Sequence, residues 1–245
     1  MRKGKIAVVI IAYNEGKNIG RCLESVKWAD EIVVVDSLST DRTVEICKQY
    51  TDKVYQHKWP GYGKQKNYAL QFVNTEWVLF IDADEVVSPA LASEIVRRVK
   101  RGGYDGFYLF RREVLINKTL RCSDKPSQDW SCGPIKLLRL AKKEKGKWHG
   151  KVHEQWLVSG KIGQLSNPLL HYSFPDLTTA LRKINFYTSI QAKKLHQQGV
   201  KTSWWQIILY PLGKFLKNFF WHQGFRDGTA GLIFCLLMSL HSFLV

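Results

Sequence analysis

The 245-residue chain is poor in acid. It carries 21 Asp or Glu against 37 Lys or Arg, a formal net charge of +16 and an isoelectric point near 9.7. A surface this basic calls for an anionic partner such as an acidic lipid, a phosphorylated substrate or nucleic acid. No recognisable nucleic-acid-binding module accompanies the charge, so nucleic acid is not expected as the partner. Cysteine is also scarce. The five residues, Cys22, Cys47, Cys122, Cys132 and Cys235, are odd in number and include no CxxC pair. That count argues against a disulfide framework and fits a reducing cytosol, and the Cys122–Cys132 spacing matches no metal site. The apolar run Ile6–Ala12 is too short for a signal peptide, so a protein that is not secreted is expected. Repeats and low-complexity linkers are lacking as well.

What is present is the composition of a folded protein, with 45% hydrophobic and 24% charged residues. The length suits one α/β domain with an appendage. Strand and helix signals alternate over the first hundred residues. Ile6–Ala12, Glu31–Asp36 and Trp77–Asp82 are β-branched or apolar runs of the kind buried on both faces of a sheet. Lys53–His57 reads as a short strand. Helical patterns begin near Ile19, Thr43, Lys64 and Pro89. The alternation predicts βαβ units, a mostly parallel sheet and a ligand site at the strands' carboxyl ends. From about residue 104 the pattern is irregular, with short strands near 106–110 and 135–140. Residues 97–151 hold sixteen Lys or Arg and five Asp or Glu. After Pro175 the chain reads as helical.

Three polar motifs fall at the predicted strand ends. Asp82-Ala83-Asp84-Glu85 closes the third buried strand. Two carboxylates one residue apart can face a diphosphate through a hard divalent cation, which takes oxygen ligands from carboxylates, phosphates and water. The plainer alternative is an acidic turn that caps the next helix. Ala12-Tyr13-Asn14-Glu15 ends the first strand and Asp36-Ser37-Leu38-Ser39-Thr40-Asp41 ends the second. Asp36 could accept from a base N–H or a ribose hydroxyl, or both motifs could be ordinary βα turns with helix caps. Their combination, with the DxD beginning 46 residues after Asp36, is specific where each alone is weak.

Together with Gly61-Tyr-Gly-Lys-Gln-Lys-Asn-Tyr-Ala-Leu70, these motifs resemble family 2 of the inverting glycosyltransferases, which have the GT-A fold. The resemblance covers at least residues 5–175. With Gly150-Lys-Val-His153-Glu154 and Leu169-Leu-His171-Tyr-Ser, it extends to the subgroup that adds glucose to the heptose of a lipopolysaccharide or lipooligosaccharide inner core. The resemblance implies that Ala12, Tyr13, Glu15 and Asp36 hold the nucleoside and that Lys66 reaches the nucleotide. It implies that Asp82 contacts the ribose or a metal, Mn²⁺ or Mg²⁺, that Asp84 binds the metal, and that His171 is a late metal ligand. Many relatives carry a Glu-Asp pair whose second carboxylate is the base. Here His153-Glu154 stands in that place, with Glu154 the expected base and His153 its orienter. Either histidine could equally be a structural residue.

The C-terminal segment mixes Trp, Phe and Lys. Residues 176–228 carry eight Lys or Arg and two Asp or Glu, and Thr229–Val245 is an apolar stretch of 17 residues, at the lower limit for crossing a bilayer. Interfacial attachment fits this mixture; packing on the catalytic domain or another subunit is the alternative. The expected organisation is a transferase domain over 1–175 and a helical membrane-associating region over 176–245. The expected activity is transfer of a hexose, glucose from UDP-glucose, to an anionic, membrane-anchored saccharide at the cytoplasmic face of a bacterial inner membrane. Oligomers through the C-terminal helices are compatible with it. A transferase acting on a polyprenyl phosphate or other envelope glycan, and a non-catalytic polyanion- or membrane-binding protein, are the competing readings. The last leaves unexplained why carboxylates gather at the strand ends.

Overall fold

The computed structural model describes residues 2–121, 134–150 and 154–245. The elements in chain order are β1 (Arg2–Ala12), α1 (Ile19–Glu24), β2 (Glu31–Asp36), α2 (Thr43–Lys48), β3 (Val54–Gln56), α3 (Tyr62–Leu70), β4 (Thr75–Asp82), β5 (Glu85–Val87) and α4 (Pro89–Arg101). There follow β6 (Gly106–Leu115), β7 (Lys118–Thr119), β8 (Ile135–Lys142), β9 (Gly146–His149), β10 (Gln155–Val158), β11 (Ile162–Gln164) and β12 (Leu169–Phe174). Three helices, α5 (Leu177–Gln197), α6 (Trp204–Leu216) and α7 (Gly228–Leu244), complete the chain. Contacts divide it into two units, residues 1–111 with 137–170 and residues 112–136 with 171–245.

In the first unit the sheet order runs β3-β2-β1-β4-β8-β6. β1 is parallel to both β2 and β4, and β2 to β3, as continuous apolar runs joined by helices require. β8 then enters antiparallel to β4, with Val78 opposite Ala141 and Leu79 opposite Leu140. The irregular sequence after residue 104 thus corresponds to short strands in reversed and mixed directions. Side-chain alternation sorts the core into two layers. Val8, Ile10, Leu79 and Ile81 face α1 and α4, packing on Leu23, Leu91 and Ile95. Val9, Val33, Val78 and Phe80 face α3 and the β9–β10 hairpin, packing on Ala69, Trp148 and Trp156. The two indoles stack with centroids 5.4 Å apart, and Phe80 meets them edge-on at 5.1 and 5.0 Å.

The second unit has its own core of Leu115, Leu120, Phe174, Ala180, Ile184, Phe234, Leu237 and Met238. Asp176 caps α5 by accepting from Thr179 N at 2.7 Å. α6 runs on into a π turn over Lys217–Trp221, and a 3-10 turn over Gly224–Asp227 leads into α7. A Cβ on Gly231 would lie 2.0 Å from Gly224 O, so this turn folds back against α7 at a distance only glycine allows. Gly224–Leu244 is the one helix among the described residues that is long and apolar enough to cross a membrane.

Phe80 is 1% exposed and joins the sheet to the Trp148–Trp156 pair. Phe80→Ala is expected to cost about 3–5 kcal/mol of unfolding free energy, read as a fall in the urea midpoint. A loss under about 1 kcal/mol would show that this layer collapses around the cavity.

Candidate active site

Strand register assembles the site. Ala12 lies opposite Asp36, and Ile11 opposite Asp82, so three motifs far apart in sequence end in one row at the carboxyl edge of the sheet. The first two loops are tied to each other. Asn14 N donates to Ser39 Oγ and Thr40 N to Asn14 Oδ1, both at 2.8 Å. Glu15 N donates to Thr43 Oγ1 at 2.8 Å and Gly16 N to Asp41 Oδ2 at 2.9 Å. Asn14 sits at φ 53°, a left-handed conformation that asparagine tolerates. Asp36 is fully buried and braces its own turn. Its carboxylate accepts from Ser39 N at 2.9 Å, from Ser39 Oγ, and from Gln56 Nε2 at 3.2 Å. Tyr13, by contrast, is 58% exposed at the rim. Ala12 is buried at the strand end, and Glu15 accepts from Asn18 Nδ2 at 2.8 Å.

Three consecutive residues of α3 do separate tasks. Gln65 is buried and donates to Ser37 Oγ at 3.1 Å and His57 O at 3.2 Å, which fixes the ends of β2 and β3. Asn67 exchanges two hydrogen bonds with the Trp148 backbone, at 2.8 and 3.0 Å, and so pins β9 to the helix. Lys66, between them, turns into the sheet's edge. Its side chain is 2% exposed, and its Nζ lies 2.7 Å from Glu154 Oε1 and 3.9 Å from Asp82 Oδ1. The ammonium also stands 4.3 Å from the centre of a Trp148 ring. The N-terminus of α3 approaches so closely that a Cβ on Gly63 would lie 2.6 Å from Gly150 O.

Arg139 of β8 completes the cluster. Asp82 continues the Val78–Phe80 face and Arg139 the Ala141 face, so antiparallel pairing puts both on the layer that α3 covers. Arg139 Nη2 donates to Asp82 Oδ2 at 2.9 Å, and its side chain is 8% exposed. Burial, and then the neighbouring Arg139 charge, lower the Lys66 pKa against the opposing pull of Asp82 and Glu154. Burial also works against the Arg139 charge, but Asp82, Glu85 and Glu154 outweigh it and raise the guanidinium's pKa. Two buried cations holding two carboxylates are a costly way to stabilise a fold. Such a group in a strand-end row marks a candidate functional site.

The DxD turn is braced from below. Glu85 is buried, accepts from Asp82 N at 2.8 Å and pairs with Arg111 Nη1 at 3.4 Å. Asp84 is half-buried in the turn. Burial, then Glu85, Asp84 and Asp82, push the Cys22 thiol well above its usual range, so it packs as a neutral side chain. Among the described residues no three His, Cys, Asp or Glu side chains form a cation cage. The donor set around the turn is all carboxylate oxygen, which suits a hard cation that also takes phosphate oxygens. His153 lies outside the described residues. His171 belongs to the second unit, where its Nδ1 is 2.8 Å from Glu113 Oε1; a carboxylate on the far nitrogen is how metal-binding imidazoles are oriented.

The structure therefore brings Lys66, Asp82 and Glu154 together and adds Arg139, Gln65 and Asn67, which the sequence motifs did not single out. The signal for Arg139 was a cation in the middle of the otherwise mostly apolar run Leu137–Ala141. For Gln65 and Asn67 it was their position either side of Lys66.

Residues 7–156 match the family described as Glycosyl transferase family 2. The chain is 34% identical to an uncharacterized glycosyltransferase of Rickettsia felis, covering 98% of this chain and 87% of that one. It is 28% identical to the lipopolysaccharide core biosynthesis glycosyltransferase LpsC of Rhizobium meliloti, covering 98% and 89%. The crystal structure of S. aureus TarS in complex with UDP-GlcNAc aligns with a TM-score of 0.51 at 17% identity, covering 98% of this chain and 81% of that one. The sheet described above has that structure's GT-A architecture.

If Arg139 positions Asp82, then Arg139→Ala lowers kcat/KM about 10–100-fold, the usual scale for a residue that orients a ligand group, and Arg139→Lys recovers part of it. Steady-state kinetics with a thermal unfolding control distinguishes this from lost folding. Wild-type kcat/KM in Arg139→Ala would leave Asp82 to Lys66 alone.

Proposed function

This chain belongs to glycosyl transferase family 2, and from that premise we propose that it moves glucose from UDP-glucose to the heptose of a lipopolysaccharide inner core, with inversion at the anomeric carbon. The observation that carries the proposal is the cluster at the sheet's carboxyl edge in which buried Lys66 and Arg139 hold the carboxylates of Asp82 and Glu154. The relative named for lipopolysaccharide core biosynthesis supports the acceptor class, and the TarS fold, which binds UDP-GlcNAc, suits a UDP-sugar donor.

In this reading Tyr13, Glu15 and the loop braced by Asp36 hold the nucleoside. Lys66 and Asp82 meet the ribose and diphosphate. Glu154 takes the proton of the acceptor hydroxyl as that oxygen attacks the anomeric carbon and the bond to the diphosphate breaks. Lys66 holds Glu154 Oε1 at 2.7 Å, which fixes the carboxylate in place before the acceptor arrives. Mn²⁺ or Mg²⁺ would be held by Asp84, with Asp82 as a further candidate. Both Asp82 oxygens already face Arg139, so Asp84 is the principal ligand. When bound, the cation neutralises charge on the leaving diphosphate.

The acceptor is anionic and lipid-linked, which agrees with the net charge of +16. The protein works at the cytoplasmic face of the bacterial inner membrane, attached through its C-terminal region, where oligomers can also form.

Donor screening with defined lipopolysaccharide core truncations, read by product mass, is expected to give one added hexose from UDP-glucose on a heptose-terminated core. Addition from UDP-glucose to a polyprenyl phosphate instead would overturn the acceptor. Asp84→Ala and chelation are expected to abolish transfer alike, with Mn²⁺ or Mg²⁺ restoring only the chelated wild type; full activity in excess chelator would remove the metal from the account. Glu154→Gln should keep donor binding and lose about 10²–10⁴-fold in turnover, and near-normal turnover would move the base elsewhere.

A further inference from the structure

We infer that α6 and its π turn lie flat in the membrane interface, whereas α7 stays in the protein core and does not cross the bilayer. The inference rests on the membrane attachment proposed above and assigns it to one element. By length and composition the choice would fall on α7. Its packing argues otherwise. Phe234, Leu237 and Met238 are buried against Leu115, Leu120, Phe174, Ala180 and Ile184, so drawing α7 into lipid would dismantle the core of its own unit.

The start of α7 is also held by the rest of its unit, and its later part is held to α6. At its start, Asp227 is 2% exposed and accepts from Arg121 N at 3.0 and 2.8 Å, while Lys118 Nζ donates to Asp227 O at 2.6 Å. Towards its end, Ser239 Oγ donates to Pro211 O at 2.7 Å, which clamps α6 alongside. α7 is held in the core of its own unit from Asp227 to Met238, and α6 is joined to it through Ser239 and Pro211, so the hairpin cannot project its full length through a bilayer. Its outer helix lies along the surface of that core.

That outer helix has the chemistry of an interface. None of the thirteen residues of α6 is buried. Trp204, Ile208, Leu212, Leu216 and Phe220 follow one another at four-residue intervals, all exposed, and form an apolar ridge that winds around α6 into the π turn. Trp204 and Trp221, near its two ends, are each 76% exposed. Exposed Trp, Phe and Leu make up the apolar side of an interfacial helix, and exposed Lys201, Lys217 and Arg226 supply the cations that meet anionic headgroups. Carboxylates are scarce in this stretch of the sequence. From residue 176 onward the only carboxylate side chains are Asp176, which caps α5, and buried Asp227. The occupant of this surface is thus an anionic lipid bilayer.

The test uses the full chain and phosphatidylglycerol-rich vesicles, with lipids brominated near the headgroup or near the bilayer centre. Wild-type tryptophan fluorescence should be quenched most by the shallow bromines. The Trp204→Phe, Trp205→Phe, Trp221→Phe triple variant should still bind and lose most of that quenching. Ile208→Glu with Leu212→Glu should weaken vesicle partitioning on the order of a hundredfold with an unchanged thermal midpoint and intact UDP-glucose hydrolysis. Strongest quenching by the deep bromines, quenching that survives the triple variant, or wild-type partitioning of the double variant would each overturn the in-plane helix while leaving membrane attachment standing. No vesicle binding by active wild-type protein would overturn the attachment itself.

Discussion

An ammonium group with almost no access to water is the constraint around which the catalytic unit is organised. Lys66 is 2% exposed, and its charge is tolerable only because Glu154, Asp82 and the face of Trp148 surround it. Removing either carboxylate would leave an uncompensated buried cation, which costs more than the pair contributes. Each partner in turn depends on a separate piece of the fold. Asp82 is delivered by the register of β4 on β1, Glu154 by the strand that follows it, Trp148 by the Asn67 clamp, and the lysine itself by a helix anchored through Gln65. Local structure and site are therefore one system. The antiparallel strands that depart from a plain doubly wound sheet are what bring Arg139 and Glu154 to the parallel strands' ends.

Much of this was legible in the sequence. Continuous apolar runs announced β1, β2 and β4 because strands buried on both faces leave no other pattern, and the polar residues that stopped each run marked the site's edge. Lys66 and Glu154 were legible through family resemblance rather than through spacing, since nothing local says that residues 88 apart will touch. Arg139 was missed for a physical reason. A charged residue in a short strand reads as solvent-facing until the pairing with β4 is known, and that pairing is a long-range choice. Asp36 was expected to face the nucleoside; its buried carboxylate is engaged by Ser39 and Gln56, so the turn it shapes is what it contributes to the described site.

The C-terminal region shows the same division between composition and packing. Hydropathy treats α6 and α7 as alike and favours α7. Only contacts separate a helix whose Phe234, Leu237 and Met238 complete a core from one that has no buried residue. A family 2 chain that also carries a basic, indole-bearing helix agrees with the lipid-linked acceptor proposed above.

The central claim is that a single carboxylate, Glu154, serves a one-step displacement at a site organised by Lys66. The most direct measurement is the anomeric configuration of the product formed from UDP-glucose and a heptose-terminated core, read from its proton NMR coupling. The account predicts a β-linked glucose from the α-linked donor. An α-linked product would mean two displacements or a different attacking geometry, and would contradict the assignment of Glu154 as the base.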